Sequence, residues 1–293
     1  MAAVRLVTDS TADIPPQTAS ALDITVIPDE VIFGESAFRD GVDLTPQRFR
    51  ELLATSQHFP KTAHPGLGVF LDTYRRLGAD GAAIVSIHVG FHLSGMGRAA
   101  QAAAAELSSL VRVAVVDSQQ LSMAQGWQVI AAAWAARQGA SFDEVVALAQ
   151  RLPPLTHAVA MLDSLGHVWR GGRIGRAAAL MGAALRVKPL ITVVDGQAVP
   201  LANVRTQRRA LDHLVEHVGT RTPLLALAVL HVGAPEAAQS LVEQLSALYP
   251  RDGILVSETG AAVATHLGPG AVGVCLVSGA GTAIGPELFQ WKV

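Results

Sequence analysis

Four short stretches combine glycine or proline with hydroxyl, imidazole or guanidinium side chains. They are Lys61-Thr62-Ala63-His64-Pro65, the run His88 to Arg98 around Ser94, Trp169-Arg170-Gly171-Gly172-Arg173, and Thr265-His266-Leu267-Gly268-Pro269-Gly270. The second reads as a strand end, a glycine-punctuated turn and a helix start, with Ser94 and Gly95 at the junction. A serine there has two uses. It caps the helix, its commonest job at that position, or it joins free backbone N–H groups and the helix dipole in holding an anion. A nucleophile elbow needs glycine two residues either side of the serine, and His92 and Met96 stand there instead. No G-x-G-x-x-G opens a helix after a predicted strand, and no Walker A sequence is present. His88 and His92 share a helical spacing but fall on a strand end and a turn, which argues against a zinc pair. Asp9 and Asp117 close predicted strands as Asp-Ser, which is ordinary turn chemistry with metal ligation as the rival use. His266, among glycines and apolar residues, is either a satisfied core histidine or a ligand-holding one. An enzyme pairing Ser94 or Asp9 with His266, a lipid hydrolase or a small phosphotransferase, stays open as the competing reading.

The elements that must position these loops alternate. Of 293 residues, half are hydrophobic and 16% charged, which suits a large core or an apolar cavity in one large or two ordinary α/β domains. Strands are predicted at Val4–Thr8, Ile24–Pro28, Val31–Phe33, Ala82–Val89 and Val111–Val116. Helices are predicted from Thr45-Pro46 to about Thr55, from Pro65 to Leu77, from Arg98 to Leu110 and from Leu121 to Gln138. The segment His58–His64 reads as a polar loop. Such alternation implies a mostly parallel sheet covered on both faces, with functional loops at the carboxyl ends of its strands. Pro153-Pro154 marks a linker, dividing residues 1–155 from 156–293. Beyond it, strands at Ala158–Leu162, Leu190–Val194, Ala198–Ala202, Leu224–His231, Ile254–Val256 and Val272–Leu276 mix with helices at Ala177–Leu185, Arg205–Val218 and Pro235–Leu248. Asp195-Gly196 is a hairpin turn signal, so the second sheet is expected to be mixed.

Net charge is −2, so no basic field exists for nucleic acid, and contact with a membrane surface is at most transient. Arginines cluster at Arg170–Arg176 and Arg205–Arg209, a pattern that suits a small anion or, for most of them, a solvated face. The single Cys275 excludes an internal disulfide and a cysteine-based zinc site, and its apolar neighbours make it a buried strand residue. The opening residues lack a signal-peptide apolar region, so a cytoplasmic location is expected. Ala261–Gly285 has no acidic residue, lysine or arginine, but His266, Gly268-Pro269-Gly270 and Ser278-Gly279 interrupt it. It reads as loop, buried strand and loop, not as a span of about 20 apolar residues.

Taken in order, these motifs resemble the DegV family of bacterial fatty-acid-binding proteins over nearly the whole chain. Val7 to Asp13 resembles the family's opening signature, and Thr62-Ala63-His64-Pro65 stands where Thr-Ser-Gln-Pro is usual. Ser94-Gly95-Met96 is similar to Ser-Gly-Thr, Arg170-Gly171-Gly172-Arg173-Ile174 to Lys-Gly-Gly-Arg-Ile, and Val187-Lys188-Pro189-Leu190 to Ile-Lys-Pro-Ile. His266 to Gly270 resembles His-x-Gly-Pro-Gly. The resemblance implies two α/β domains with a lipid tunnel at their interface, and no cofactor beyond one long-chain fatty acid. It also implies a carrier that catalyses nothing alone and presents the carboxylate to a fatty acid kinase, whose acyl phosphate feeds phospholipid synthesis. By resemblance Thr62, Ser94, Gly95 and His266 hold the carboxylate with Arg170 close by. Arg173 and Arg205 are expected to serve the partner or the nascent phosphate, a plain surface role being equally open. Ala63, His64 and Met96 depart from the family pattern beside the head group.

Overall fold

The computed structural model describes residues 3–173, 175 and 187–292. The helix predicted at Ala177–Leu185 lies outside them. In the first half, chain order is β1 (Val4–Asp9), α1 (Pro16–Ala21), β2 (Ile24–Ile27), β3 (Glu30–Phe33), β4 (Ser36–Arg39), α2 (Pro46–Thr55), β5 (Lys61–Ala63) and α3 (Leu67–Gly78). Then come β6 (Ala83–His88), α4 (Met96–Glu106), β7 (Val113–Asp117), α5 (Ser122–Arg137) and α6 (Phe142–Arg151). The second half contributes β8 (Thr156–Met161), α7 (Gly166–Arg170), β9 (Lys188–Val194), β10 (Gln197–Val204), α8 (Gln207–Gly219) and β11 (Leu224–His231). It continues with α9 (Pro235–Leu245), β12 (Leu255–Glu258), α10 (Ala261–Leu267) and β13 (Val272–Ser278).

Strands β2-β1-β6-β7 form a four-stranded sheet in which every neighbouring pair is parallel. Strand β6 is buried at all six positions, which explains its unbroken apolar run. The second sheet, β10-β9-β8-β13-β11-β12, is antiparallel except for the β11–β12 pair. A small antiparallel sheet, β4-β3-β5, stands apart from both. The expected parallel-then-mixed α/β arrangement is what the chain adopts.

Helix α5 lies between the two large sheets, touching β1 and β6 on one side and β8 and β13 on the other. Its first twelve residues are all buried. A largely apolar helix belongs inside a core, and most of its few polar groups are paired, with Gln128 Oε1 left without a partner among the described residues. Trp127 Nε1 donates to the Cys275 carbonyl at 3.2 Å, and Gln128 Nε2 donates to Thr156 Oγ1 at 2.8 Å. Cys275, buried in β13, has its thiol pushed up to about 12 by that burial.

Three local predictions need correction. The loop at His58–His64 contains β5, because Val31 and Ile32 of β3 offer pairing partners to Thr62 and Lys61. The linker reading at Pro153-Pro154 overlooked α6, which a Ser141–Glu144 capping box starts and which ends just before a short 3₁₀ turn, Pro153–Leu155. The segment after Gly260 is a helix, α10, and not a loop. Its first amide groups are fixed by two aspartates from the first half. Gly260 N–H donates to Asp13 Oδ1 at 2.7 Å, and Ala261 N–H to Asp40 Oδ1 at 2.8 Å. Among the described residues no helix is long and apolar enough to cross a membrane.

Candidate functional site

In the parallel sheet the chain leaves β1 for β2 on one side and reaches β6 on the other, so β1/β6 is a topological switch point. Ligands of open α/β sheets bind beyond the carboxyl ends of the strands at such a point. Here that region is a cavity of about 710 Å³, part of it open to solvent. The loops after β1, β2 and β6 contribute Thr11, Asp29 and Ser94, the small sheet contributes Thr62, and α10 contributes His266. Apolar side chains make up most of the remaining wall. A second apolar cavity of about 500 Å³ follows along β8, β9 and β13, and the two share Leu121, Ile191, Val193 and Leu267. Both volumes lie in the range of small-molecule sites.

The Ser94 turn is fixed from several directions. Leu93 and Ser94 N–H groups donate to the Gly90 carbonyl at 2.8 and 3.2 Å, and Phe91 N–H donates to Asp117 Oδ1 at 3.2 Å. The tip of the β9–β10 hairpin, with φ of 50° at Asp195 and 72° at Gly196, meets His92 and Gly90. Positive φ at both residues is what the tight hairpin turn requires. The Ser94 hydroxyl accepts from Met96 N–H at 3.1 Å. That leaves its own proton to donate, so capping and anion holding are compatible uses of one group.

Thr62 Oγ1 lies 2.9 Å from His266 Nε2. His266 Nδ1 is covered and has no hydrogen-bond partner among the described residues. A proton there would be stranded, so Nε2–H donates to Thr62, and the threonine hydroxyl proton stays free for a ligand. Burial pushes His266 down to about 4, with the Arg173 charge and His167 adding to the fall, so the ring is neutral at pH 7. Two hydroxyl protons, from Thr62 and Ser94, are thus available in one apolar cavity.

Gly171 passes close to the His266 ring: a Cβ placed there would lie 2.2 Å from Nδ1. Gly171→Ala is therefore expected to displace the ring, break its bond to Thr62 and weaken anionic-ligand binding roughly tenfold in a fluorescent displacement titration. A loss of less than about twofold would show that the ring shifts without losing Thr62.

The arginines separate. Arg173 lines the cavity, half-buried, with Nη1–H donating to the Gly171 carbonyl at 2.8 Å. Arg170 is exposed outside the lining, its guanidinium 5.2 Å from the centre of the Phe59 ring. Arg205 is exposed in the bend before α8, also outside the lining. Gly95 precedes α4 and leaves room for His64, since a Cβ there would stand 2.9 Å from the imidazole. Met96 is fully buried in the core with Phe70, Tyr74 and Ala100, away from the lining.

His88 and Asp9, weighed as metal ligands, bind each other. His88 Nδ1–H donates to Asp9 Oδ2 at 2.8 Å, Ser86 donates to His88 Nε2 at 2.7 Å, and Tyr74 donates to Ser86 at 2.8 Å. Burial would raise the Asp9 carboxyl, but the hydrogen bonds from His88, Thr11 and Val89 hold it below the ordinary carboxylate range. The Ser–His–Asp order copies a hydrolase triad, yet Ser86 is fully buried and does not line the cavity. Thr11 links this buried chain to the cavity by donating to Asp9. Sequence reading passed over Thr11 and Asp29; the positions after β1 and β2, at strand carboxyl ends, were the signal available. Among the described residues no cluster of three metal-ligating side chains occurs.

The fold and site define a class: an α/β protein with two large sheets and a largely apolar cavity whose wall carries hydroxyl, imidazole, guanidinium and carboxyl groups. The model of a family described as "Uncharacterised protein, DegV family" matches residues 3–279, and the chain belongs to the DegV family. It is 38% identical over 279 residues to a DegV domain-containing protein of Streptomyces coelicolor, covering 94% of this chain and 98% of that one. It is 34% identical to Protein DegV of Bacillus subtilis, covering 93% and 98%. Among solved structures, it superposes on a DegV family protein from Thermus thermophilus, described by its fatty acid binding, with a TM-score of 0.86, 30% identity and coverage of 94% and 99%. It also superposes on DegV from Bacillus subtilis, described as a fatty acid binding protein, with a TM-score of 0.86, 31% identity and coverage of 95% and 100%.

Proposed function

We propose that this protein binds one long-chain fatty acid, its tail in the two joined apolar cavities and its carboxylate on Thr62 and Ser94. The observation that carries this reading is the pair of free hydroxyl protons in the wall of a largely apolar cavity. Burying about 15 methylenes at roughly 0.8 kcal/mol each gives an upper bound of about 12 kcal/mol. That drives binding only if the carboxylate is not stranded, because an unpaired charge in such surroundings costs several kcal/mol. The two hydroxyls, with Arg173 nearby, meet that need. Gly95 serves by admitting His64 beside the site, and His266 serves by orienting Thr62.

The finer reading is a cytoplasmic carrier that presents the carboxylate to a partner fatty acid kinase, whose acyl phosphate feeds phospholipid synthesis. In it, residues 1–155 supply the head-group loops and 156–293 most of the tail wall. Arg170 and Arg205, exposed and outside the lining, suit contact with that partner better than with the buried acid. A carrier without catalysis fits a site where Ser94 accepts from Met96 and His266 bonds to Thr62, so that no base is paired with the serine. Mass spectrometry of organic extracts of the purified protein tests the reading. Near-stoichiometric acyl chains, or their uptake when added, are expected. Protein that neither carries nor takes them up rules it out.

A further inference from the structure

Asp29 is a polar wall residue whose chemistry the site has not yet used. It follows β2, is 4% exposed, and lines the cavity with Thr62, Ser94, Arg173 and His266. Its backbone is fixed at both ends: its N–H donates to Ser10 Oγ at 3.0 Å, and its carbonyl accepts from Asp40 N–H at 2.8 Å. Its Oδ2, by contrast, is buried and has no hydrogen-bond partner among the described residues. A bare carboxylate with open lone pairs in such a place is strongly unfavourable. The charges around it do not rescue it. Among the described residues, Asp9 on β1, Asp40 after β4 and Glu30 on β3 all oppose ionisation, Arg173 favours it, and His266 is neutral.

Resting on the fatty-acid reading, we propose that Asp29 is a further head-group residue, donating a hydrogen bond from its protonated carboxyl group to the ligand carboxylate. The acid is then held by two carboxyl groups sharing one proton, and it is released when that proton leaves to solvent. Burial lifts Asp29 well above the ordinary carboxylate range, and Asp9 and Asp40 add to the rise, which is the direction this role needs. A bound anion raises it further, because like charges in one site cannot both be free. Where Asp29 is ionised in the empty site and protonated in the filled one, binding takes up a proton, and affinity falls as pH rises, by roughly tenfold per pH unit at the steepest.

Calorimetric titration with dodecanoate, from about pH 7 to about pH 9.5 in two buffers of different ionisation enthalpy, tests this. Asp13, lifted by burial to about 6, is ionised throughout that window and adds no slope. The wild type is expected to lose affinity with rising pH and to take up about one proton per acid bound. Asp29→Asn, whose amide N–H replaces the acid proton, is expected to hold its affinity level across the window. A flat wild-type profile with no proton uptake, or a variant slope equal to that of the wild type, overturns the proposal and leaves fatty-acid binding standing. No binding at any pH removes the fatty-acid reading itself, and this proposal with it. Should the variant fail to fold, the proton count on the wild type decides alone.

Discussion

A Thr62→Val, Ser94→Ala double variant is expected to bind a long-chain fatty acid on the order of a thousandfold more weakly, with its melting temperature lowered by several degrees because His266 Nε2–H and Met96 N–H lose their acceptors. Each substitution removes one hydroxyl proton aimed at an anion. Hydrogen bonds to charged groups are worth about 1.5–3 kcal/mol, and every 1.4 kcal/mol is about tenfold in affinity. The two donors come from separate elements, β5 and the turn before α4, but they meet one ligand group, so departure from additivity is expected. The informative control is the methyl ester of the same acid, which carries no charge to satisfy. Its affinity should change only severalfold. Equal losses for acid and ester, measured in parallel titrations, would mean that the hydroxyls shape the cavity and do not bind the carboxylate.

The second large effect concerns the tail. Ile191 on β9 lines both cavities, so a larger side chain there closes the passage between them. In Ile191→Trp about six methylenes are denied the inner cavity. At roughly 0.8 kcal/mol each, they forfeit up to about 5 kcal/mol. Hexadecanoate affinity is expected to fall by two to three orders of magnitude, while octanoate, short enough for the outer cavity, stays within severalfold. Overpacking of a well-filled site destabilises by about 1–3 kcal/mol, so the melting temperature should drop a few degrees. A uniform loss across chain lengths would place the tail elsewhere.

What could be read before the structure follows from how local each signal is. Strand β6 and the hairpin at Asp195-Gly196 were legible because an apolar run and a turn dipeptide are sufficient causes in themselves. Thr45-Pro46 likewise set the start of α2, where the Thr45 hydroxyl accepts from Arg48 N–H at 3.2 Å. Strand β5 was not legible, since only pairing with β3, some thirty residues earlier, makes Lys61–Ala63 extended. The site divides in the same way. Ser94 was visible at a strand-to-helix junction and His266 within its glycine motif, but their roles depend on what meets them. The two guanidinium positions of the Arg-Gly-Gly-Arg motif are two turn residues apart, and only the fold shows Arg173 turned into the cavity and Arg170 outward. Met96, unexplained as a departure beside the head group, has a simple account. It is a core residue under α4, so the exchange alters packing behind the site and not the lining.

Helix α10 has a consequence for how binding is assembled. It spans seven residues, with Asp13 and Asp40 of the first half gripping its N-terminus and His266 near its other end addressing Thr62. The helix therefore works as a short strut whose anchorage and whose working end both depend on segments before residue 155, while its own sequence lies after it. Neither half carries a complete binding device, and the apolar walls alone hold a tail without orienting its acid. On the fatty-acid reading, capture of the carboxylate becomes a coincidence event that needs segments from before and after residue 155 in register. On the same reading, a filled site adds a tie between them beside the packed core that α5 already provides.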